Sequence, residues 1–493
     1  MRVPEEIRAV PRPANTVVYA FGQDPVKYNV KQRVFVEENG KVVQKDGGTI
    51  GAIIDGRFVE NTKLIRYSES DILHWACSQL IVNLSTDLKD DLLTVYGPED
   101  GLRNYAIAVL RTAENGIKDY ELKDSYEQDY LSVMYPRIPL SKDSVGNHLY
   151  NLGRTYSRIA EFMELRASHV PLNHMIAVDG MLKSYESDDN PFSDFSRKAL
   201  KSGTRDVLLM FAYDVDAMEP VCCKVYPGNM TDRSVFRDFL ETNKVSRGLI
   251  VTDKGFTYSS AKQVFLDNPD LHYLMPLRRD SNVITEYHVL NTDSSLRNRY
   301  GISCRKVRMI DGRFLYAYRD TEMAKAEEQT WLEKHESYDP TELEESRREF
   351  GTIVFVSNLD ASLEVMFAAY EERWELEVLF RFYKHILSMD ETRVESQQSV
   401  IGTEFINFLS VIMLSRLRKA FYNVKDLQRR SFRSNMKLLK KGIMIREGPD
   451  KPWLPRKLSK REEQIYFELG ILKAPEVVKK KRGRPKGSKN RKQ

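Results

Sequence analysis

The sequence predicts an α/β protein built around a mixed β-sheet, and three observations support this fold class. Between His174 and Leu277, apolar segments that read as strands alternate with segments of helical pattern. Their order (three strands, a helix, a strand, a helix and a strand) is typical of an antiparallel meander followed by crossover connections. The length of 493 residues and the hydrophobic content of 41% allow roughly two to four domains with a large core.

A small β-rich arm and a helical domain are predicted ahead of this sheet. Asn-Gly at residues 39–40 and Asp-Gly at residues 55–56 are strong signals for two-residue hairpin turns. At residue 70 the apolar period changes, and we expect a helix over residues 70–92. We therefore expect a β-rich arm over residues 1–61 and a helical domain over residues 62–168.

Composition and charge describe a globular body with a basic tail. Residues 479–493 carry nine Lys and Arg and no acid, so the net charge of +5 becomes −4 for the rest of the chain. The longest apolar run, residues 405–414, is shorter than a membrane span, and no membrane partner is expected. The four cysteines show neither disulfide-framework nor zinc spacing, which favours buried, reduced thiols and a cytoplasmic location.

Three acidic residues are placed where a sheet exposes functional side chains. Asp179 and Asp253 each follow a short apolar strand, and Glu377 lies in a predicted helix. Carboxylates that converge at strand ends are suited to Mg²⁺ or Mn²⁺, which prefer oxygen ligands. Asp214 and Asp216 lie near a hairpin turn, and we expect them to serve that turn. Any one of these acids by itself would more often be a cap or an ion-pair partner.

The segment of residues 370–384 contains no Gly or Pro and is predicted to be one helix. Tyr370, Arg373, Glu377 and Lys384 fall within about 60° of arc on this helix and project from one face. Two interpretations are open at this point. The face either holds a metal-bound phosphate and the nucleic-acid strand beside it, or is a solvated surface with ion pairs at i, i+4.

These motifs resemble the DDE transposases of bacterial insertion sequences, in the group with a Tyr-Arg-Glu-Lys (YREK) signature. The first acidic motif is matched by residues 176–180 and the second by residues 250–255. Residues 227–232 resemble the segment usually found between them, and the resemblance covers residues 170–420. The four signature positions are matched by Tyr370, Arg373, Glu377 and Lys384.

The resemblance implies a ribonuclease-H-like catalytic domain, formed by residues 169–277 and 351–420. A β-containing insertion would occupy residues 278–350, and a C-terminal region residues 421–478. In relatives, an aromatic residue of the insertion supports a flipped base. Trp331, Tyr316 and Tyr318 are the candidates here, although an interpretation as insertion core is favoured for all three.

The resemblance also implies the site and its chemistry. Asp179, Asp253 and Glu377 would be the catalytic ligands of two Mg²⁺ (or Mn²⁺) ions, and Arg373 with its signature neighbours Tyr370 and Lys384 would bind DNA. The enzyme would cleave at transposon ends and join the 3′-hydroxyl ends to target DNA. Two alternatives stay open: a non-catalytic DNA-binding protein derived from a transposase, and a nuclease on the same fold.

The expected partners are transposon-end DNA and target DNA, bound by a homodimer associated with the nucleoid. The helical domain either recognises a specific DNA end or only packs against the core. In the tail, residues 481–487 resemble an AT-hook, whose Arg482 and Arg484 would enter the minor groove of A·T tracts. The alternative is a disordered basic tail that binds phosphates without specificity.

Overall fold

The structure is a computed structural model of the 493-residue chain. It describes residues 3–22, 27–38, 41–60, 71–185, 192, 194, 205–297, 299–335, 337–385, 391–392 and 396–472. The chain divides into two compact units. One contains Met1–Asp71 and Ile445–Trp453, and the other contains Ile72–Met444 and Leu454–Gln493.

The first unit is an antiparallel sheet that follows a short helix, α1 (Glu5–Arg8). Its strands lie in chain order: β1 (Thr16–Phe21), β2 (Lys27–Glu38), β3 (Lys41–Ile54) and β4 (Arg57–Glu60). The predicted hairpin at residues 55–56 is confirmed, because Asp55 (φ 48°) and Gly56 (φ 72°) adopt the left-handed backbone of a type I′ turn. Strands β2 and β3 pair on either side of residues 39–40, which themselves lie outside the described residues.

Helices precede and follow the main sheet of the second unit. Those before it are α2 (Ala76–Leu84), α3 (Thr86–Glu114), α4 (Leu122–Gln128), α5 (Leu131–Met134), α6 (Lys142–Arg154) and α7 (Tyr156–Ser168). Those within and after it are α8 (Asp232–Thr242), α9 (Lys262–Asp267), α10 (Asn282–Glu286), α11 (Thr321–Lys334), α12 (Pro340–Arg347), α13 (Leu363–Glu372), α14 (Trp374–His385), α15 (Gln397–Asn423), α16 (Lys425–Gln428), α17 (Phe432–Leu439) and α18 (Lys460–Glu468). Helix α3 is kinked where Gly97 (φ 79°) precedes Pro98.

The predicted helix over residues 70–92 begins later than expected. Residues Asp71–His74 form a strand, β5, in which exposed and partly buried positions alternate. The backbone N–H groups of Trp75 and Ala76 then donate to the carbonyl oxygen of Gly442, at 3.1 and 3.3 Å. These hydrogen bonds to a distant part of the chain favour an extended entry to α2, and a sequence window contains no sign of them.

One large mixed sheet organises the second unit. Its strands are β6 (Met175–Tyr185), β7 (Arg205–Asp214), β8 (Glu219–Pro227), β9 (Gly248–Thr252), β10 (Leu271–Pro276), β11 (Ser294–Ser295), β12 (Ile302–Arg308), β13 (Phe314–Asp320), β14 (Thr352–Ser357) and β15 (Glu391–Thr392). Two further strands, β16 (Ile443–Arg446) and β17 (Leu454–Pro455), lie outside it. The order is β11-β12-β13-β14-β10-β9-β6-β7-β8, and β15 also pairs with β6. The mixed α/β fold class is confirmed.

The order of pairing matches the predicted meander and crossovers. Strands β6, β7 and β8 are antiparallel neighbours, whereas β9 runs parallel to both β6 and β10. Strand β14 pairs antiparallel with β10, and β13 with β14, so the hairpin of residues 302–320 continues the same sheet. The segment predicted as an insertion therefore contributes strands to the main sheet.

Helix α15 is the central core helix of the second unit. It packs against α3, α6 and β8. Its approach to α6 is backbone to backbone, because a Cβ on Gly153 would lie 1.9 Å from the carbonyl oxygen of Gln398, and one on Gly402 would lie 2.0 Å from that of Leu149. Its length and a mean hydropathy of 1.5 would also suit a membrane span, but 83% of that apolar window is buried inside the protein. The four cysteines are free and buried, as predicted.

Candidate active site

Asp179 and Asp253 lie side by side on two parallel strands. Val178 of β6 pairs with Thr252, the last residue of β9, so the two aspartates follow at equivalent positions. The sequence had indicated that Asp179 follows a strand. Strand β6 instead continues to Tyr185, so Asp179 lies inside it. Because β9 stops at Thr252, β6 has no pairing with β9 at Asp179.

Glu377 joins the two aspartates through a shared contact with Arg373. The guanidinium of Arg373 lies 3.8 Å from Oδ2 of Asp179, 3.9 Å from Oδ1 of Asp253 and 3.7 Å from Oε1 of Glu377. The Arg373 side chain is 12% exposed, and its Nε atom is buried without a hydrogen-bond partner. The structure thus gathers the three predicted acids around a single cation.

The predicted helix over residues 370–384 is divided at Arg373. Helix α13 ends at Glu372 and α14 begins at Trp374. Arg373 keeps helical angles (φ −50°, ψ −29°), but its carbonyl oxygen accepts from the N–H of Leu376 three residues on, at 3.1 Å. The local tightening from four- to three-residue spacing is the type of irregularity often found where a helix carries a functional side chain.

Tyr370 and Lys384 flank the central pair of the signature. The Tyr370 ring packs against Phe355 of β14 at 4.6 Å and lies 5.7 Å from the Arg373 guanidinium. Burial raises the pKa of the Tyr370 hydroxyl, although the charge of Arg373 acts in the opposite direction. Lys384 lies seven residues beyond Glu377 on α14.

The local environment disfavours the charge on Asp179. Burial raises the pKa of its carboxyl group to about 7, and the negative charges of Asp232 and Asp253 add to the increase. The N–H of Gly180, which donates to Oδ1 of Asp179 at 2.8 Å, and the Arg373 guanidinium both lower it. A carboxyl group with this pKa lies in a site that gains from an additional positive charge.

A fourth carboxylate, Asp232, lies at the same site and was not predicted as a site residue. It occupies the first turn of α8, after Thr231, whose side chain caps the helix. A Cβ on Gly180 would lie only 2.1 Å from Oδ1 of Asp232, so the acid fills the space beside the glycine that follows Asp179. Burial and the charge of Asp253 raise the pKa of Asp232. The only sequence signal was its place at the end of residues 227–232.

The residues present fit a divalent cation. All the charged donors are carboxylate oxygens, the ligand type that Mg²⁺ and Mn²⁺ prefer. Gly180 has no side chain, and Asp232 occupies the space that a side chain would need. The carboxylates already lie near one positive charge, the guanidinium of Arg373. Asp179, Asp253 and Glu377 are the residues that would hold such an ion.

A second acidic cluster lies at the start of β6. Ligand atoms of His174, Asp214 and Asp216 lie within 4.8 Å of one another. However, Asp214 accepts from the N–H of Ala217 at 2.8 Å and from Nδ1 of His174 at 2.8 Å, and Asp216 accepts from the N–H of Met175 at 2.7 Å. These bonds stabilise the turn between β7 and β8, which confirms the predicted role of Asp214 in that turn.

Two of the aromatic candidates of the insertion lie in the interior, and the third is partly buried. Tyr316 and Tyr318 are fully buried, and their hydroxyl groups donate to the carbonyl oxygens of Leu359 and Leu363, each at 2.8 Å. Trp331 packs against the cluster that contains Ala324, Leu343 and Phe350. These positions agree with the favoured interpretation as insertion core. Arg482 and Arg484 of the AT-hook-like segment lie outside the described residues.

Comparison with known proteins identifies the type of domain that carries this site. Residues 177–413 match the model of the transposase DDE domain family. This range contains Asp179, Asp253 and Glu377 together with the whole Tyr-Arg-Glu-Lys signature, and the match supports a DDE transposase. No match was found among curated proteins.

One similar solved structure is a transposase bound to DNA. It is the cryo-EM structure of a piggyBac transposase synaptic complex with hairpin DNA. The sequence identity is 13%, the TM-score is 0.39, and the similarity covers 75% of this chain and 80% of that chain.

Proposed function

We propose that the chain is a metal-dependent DNA transposase of the group with the Tyr-Arg-Glu-Lys signature. It cleaves at transposon ends and joins the resulting 3′-hydroxyl ends to target DNA. The observation that carries the proposal is the convergence of Asp179, Asp253 and Glu377 on Arg373. The match to the transposase DDE domain family supports it, and the strand order β8-β7-β6-β9-β10 supports a ribonuclease-H-like core.

Each residue of the site has a distinct role in this mechanism. Asp179, Asp253 and Glu377 would hold two Mg²⁺ (or Mn²⁺) ions, and such ions would supply activation of the attacking oxygen and charge stabilisation of the leaving oxygen. The same carboxylates serve cleavage and joining, because both reactions are in-line displacements at phosphorus. Tyr370 is not the nucleophile, since the attacking group comes from water or from DNA.

Arg373 makes the site compatible with a polyanion. Three carboxylates would repel a DNA phosphate, and a guanidinium between them reduces that repulsion. Its planar set of donors can pair with a phosphate oxygen as the strand enters. Lys384, further along α14, and Tyr370 would then hold the nucleotides on either side of the scissile bond.

The same proposal includes the partners and the place of action. A homodimer would bind two transposon ends together with target DNA, in the cytoplasm at the nucleoid. The AT-hook-like tail would add a contact with the minor groove of A·T-rich DNA. The helical region ahead of the sheet would recognise the transposon end.

The test is an assay with purified protein, Mg²⁺ and DNA that carries the terminal repeats of the element. We expect strand-transfer products with the wild type. Asp179→Ala, Asp253→Ala and Glu377→Ala should each abolish cleavage and retain binding to the ends. Glu241→Ala, an acid on the surface of α8, is the matched control and should cleave normally.

The outcomes separate the alternative functions. Cleavage without strand transfer would favour a nuclease on the same fold, and binding without either would favour a non-catalytic derivative of a transposase. Cleavage that persists in any one of the three alanine variants would remove that residue from the site. Asp216→Ala tests the cluster at the start of β6, and we expect it to retain cleavage.

A further inference from the structure

A buried polar group lies beneath the candidate active site. Its centre is Glu404 of α15, which is 2% exposed. The Glu404 carboxylate accepts hydrogen bonds from Nζ of Lys183 at 2.6 Å, from the hydroxyl of Tyr383, and from Nδ2 of Asn407 at 3.2 Å. Lys183 and Tyr383 are as deeply buried as Glu404. None of these residues belongs to the Tyr-Arg-Glu-Lys signature or to the acidic trio.

Two members of this group lie on the elements that carry the site acids. Lys183 is in β6, four residues after Asp179, and the two side chains are on the same face of the strand. Tyr383 is in α14, six residues after Glu377. Glu404 therefore joins the strand of one acid to the helix of another through two direct hydrogen bonds.

Aromatic packing brings the same two elements together. Phe211 of β7 is the direct sheet partner of Asp179. Its ring lies 5.7 Å from that of Phe380 and 6.2 Å from that of Tyr383, both on α14. These edge-to-face contacts hold the helix on the sheet. The hydrogen bonds to Glu404 are more strictly directional and add a further restraint on the same two elements.

The charged pair at the centre is a poor device for stability alone. Burying a lysine and a glutamate costs desolvation that their attraction often only offsets, and apolar residues of similar volume frequently stabilise a core as well or better. A buried polar network instead favours one arrangement of the groups around it. Here the groups around the network include β6 and α14, through Lys183 and Tyr383.

We propose that Glu404, together with Lys183 and Tyr383, positions Glu377 relative to Asp179 so that the site binds a divalent cation. The three are positioning residues, since none touches the reacting groups. The inference rests on the proposed function, because it assumes that the acidic trio is a cation site. It extends that function by naming the group that keeps the trio at its working separation.

The test is a titration of the full-length protein with Mn²⁺, in which free Mn²⁺ is followed by electron paramagnetic resonance. Tyr383→Phe removes one hydroxyl from the group and leaves the ring contacts in place. We expect it to bind Mn²⁺ about tenfold more weakly than the wild type, the lower end of the usual effect of residues that support metal ligands. In DNA cleavage it should need more Mg²⁺ for half-maximal activity and recover the wild-type rate at saturation.

Tyr105→Phe is the matched control. Tyr105 is also fully buried, in α3, and its hydroxyl hydrogen-bonds Ser85 at 2.8 Å. Loss of this hydroxyl should lower stability but leave Mn²⁺ affinity and the Mg²⁺ requirement unchanged. If Tyr383→Phe behaves like this control, the group has only a structural role and the proposal is overturned.

A second variant avoids an unpaired buried charge. Lys183→Met combined with Glu404→Met removes both charges together. This double variant should fold but bind Mn²⁺ more weakly, and wild-type affinity would contradict the proposal.

Asp179→Asn separates this inference from the function on which it rests. If Asp179→Asn binds Mn²⁺ like the wild type, the cation site itself is wrong, and both proposals are overturned. If Asp179→Asn loses Mn²⁺ and the other variants do not, only the positioning role fails.

Discussion

The Arg373 guanidinium can attract a DNA phosphate, and it competes with a divalent cation for the same carboxylates. Its guanidinium lies between 3.7 and 3.9 Å from three carboxylates, at a position where only 12% of the side chain is exposed. A divalent cation and this guanidinium neutralise the same oxygens, so each lowers the benefit of the other. A DNA phosphate, by contrast, gains from the guanidinium directly. The residue should therefore weaken cation binding in free protein and strengthen DNA binding.

The substitution Arg373→Gln separates the two effects. Without DNA, Mn²⁺ should bind about tenfold more tightly, since roughly 1.4 kcal/mol is a small part of the interaction of such close charges. DNA cleavage should fall by about 100-fold, because a positioned cation at the phosphate is lost. Arg381→Gln, at an exposed position on α14, is the control. Weaker Mn²⁺ binding by Arg373→Gln would contradict this account.

The raised pKa of Asp179 predicts a pH dependence of cation binding. Its carboxyl group, with a pKa of about 7, holds a proton in the folded protein at pH 6 and must release it to bind a cation. Mn²⁺ affinity should fall by about tenfold for each pH unit below 7, with about one proton released per site at pH 6. Calorimetry in buffers of different ionisation enthalpy measures that proton, and Asp179→Asn should abolish its release.

The raised pKa of Asp179 has the opposite effect on folding stability: cation affinity rises with pH, whereas stability falls. The unfolded chain loses the Asp179 proton near pH 4, whereas the folded chain keeps it to about pH 7. Stability therefore declines as the pH rises through this window, because the folded state binds more protons than the unfolded state. A bound cation removes the penalty by compensating the charge.

At the residue scale, the sequence could predict the three acids of the site but not every residue that lies beside them. Asp179 and Asp253 follow apolar strands, and the spacing of the signature placed Glu377 beside Arg373. That both aspartates meet depends on the register of β6 and β9, which the sequence does not encode locally. Asp232 was missed because it is brought to the site by the path of α8, and an aspartate in the first turn of a helix is common for another reason.

At the scale of elements, helices α6 and α15 approach each other closely at two glycines. Gly153 of α6 and Gly402 of α15 allow the two helices to touch through their backbones. An added methyl group at either position would lie only 1.9 or 2.0 Å from a carbonyl oxygen, far closer than van der Waals contact allows. The helices would have to separate, and the core that α15 forms with β8 would be disturbed.

The substitution Gly153→Ala measures this constraint. We expect it to lower the free energy of unfolding by about 3 kcal/mol, at the upper end of the usual cost of overpacking. Gly146→Ala is a matched control on the same helix, because nothing lies within 4 Å of its added Cβ. Alanine should stabilise that position by up to about 1 kcal/mol, through its helix propensity. Equal effects in urea denaturation would show that the close approach is unimportant.

Elements were predictable where local chemistry determines them. The hairpin at residues 55–56 and the strands of the meander follow from turn residues and apolar alternation. The strand at Asp71–His74 was missed because its hydrogen-bond partners are distant in sequence. The break at Arg373 was missed because its backbone angles stay helical and only one hydrogen bond is rearranged.

On the scale of the whole molecule, the basic tail is proposed to contribute separately to DNA binding. A chain that ends at Val478 lacks Arg482 and Arg484 and nine positive charges in total. We expect it to bind A·T-rich DNA more weakly, with a reduced dependence on salt, and to cleave transposon ends at the wild-type rate once bound. A gel-shift comparison of A·T-rich and G·C-rich duplexes measures the first effect. Unchanged affinity for the A·T-rich duplex would rule out a minor-groove role.

The arrangement of the main sheet was only partly predictable. The order of strands and helices over residues 174–277 gave the meander and its crossovers. No sequence pattern indicated that the strands of the insertion would pair with β14 and extend the same sheet. Such pairing depends on the shape of the finished sheet edge, and residues distant in sequence determine it.

The position of α15 late in the chain has a consequence for synthesis. A ribosome produces the whole of β6–β14 before it reaches Gln397, and the helix that covers β8 and supplies Glu404 follows only then. Until that point the nascent chain exposes apolar surface that other chains can bind. A product that stops short of this helix, through a frameshift or a premature stop codon, would carry all three acids and still be inactive. For this protein, a truncated translation product is expected to aggregate rather than to cut DNA.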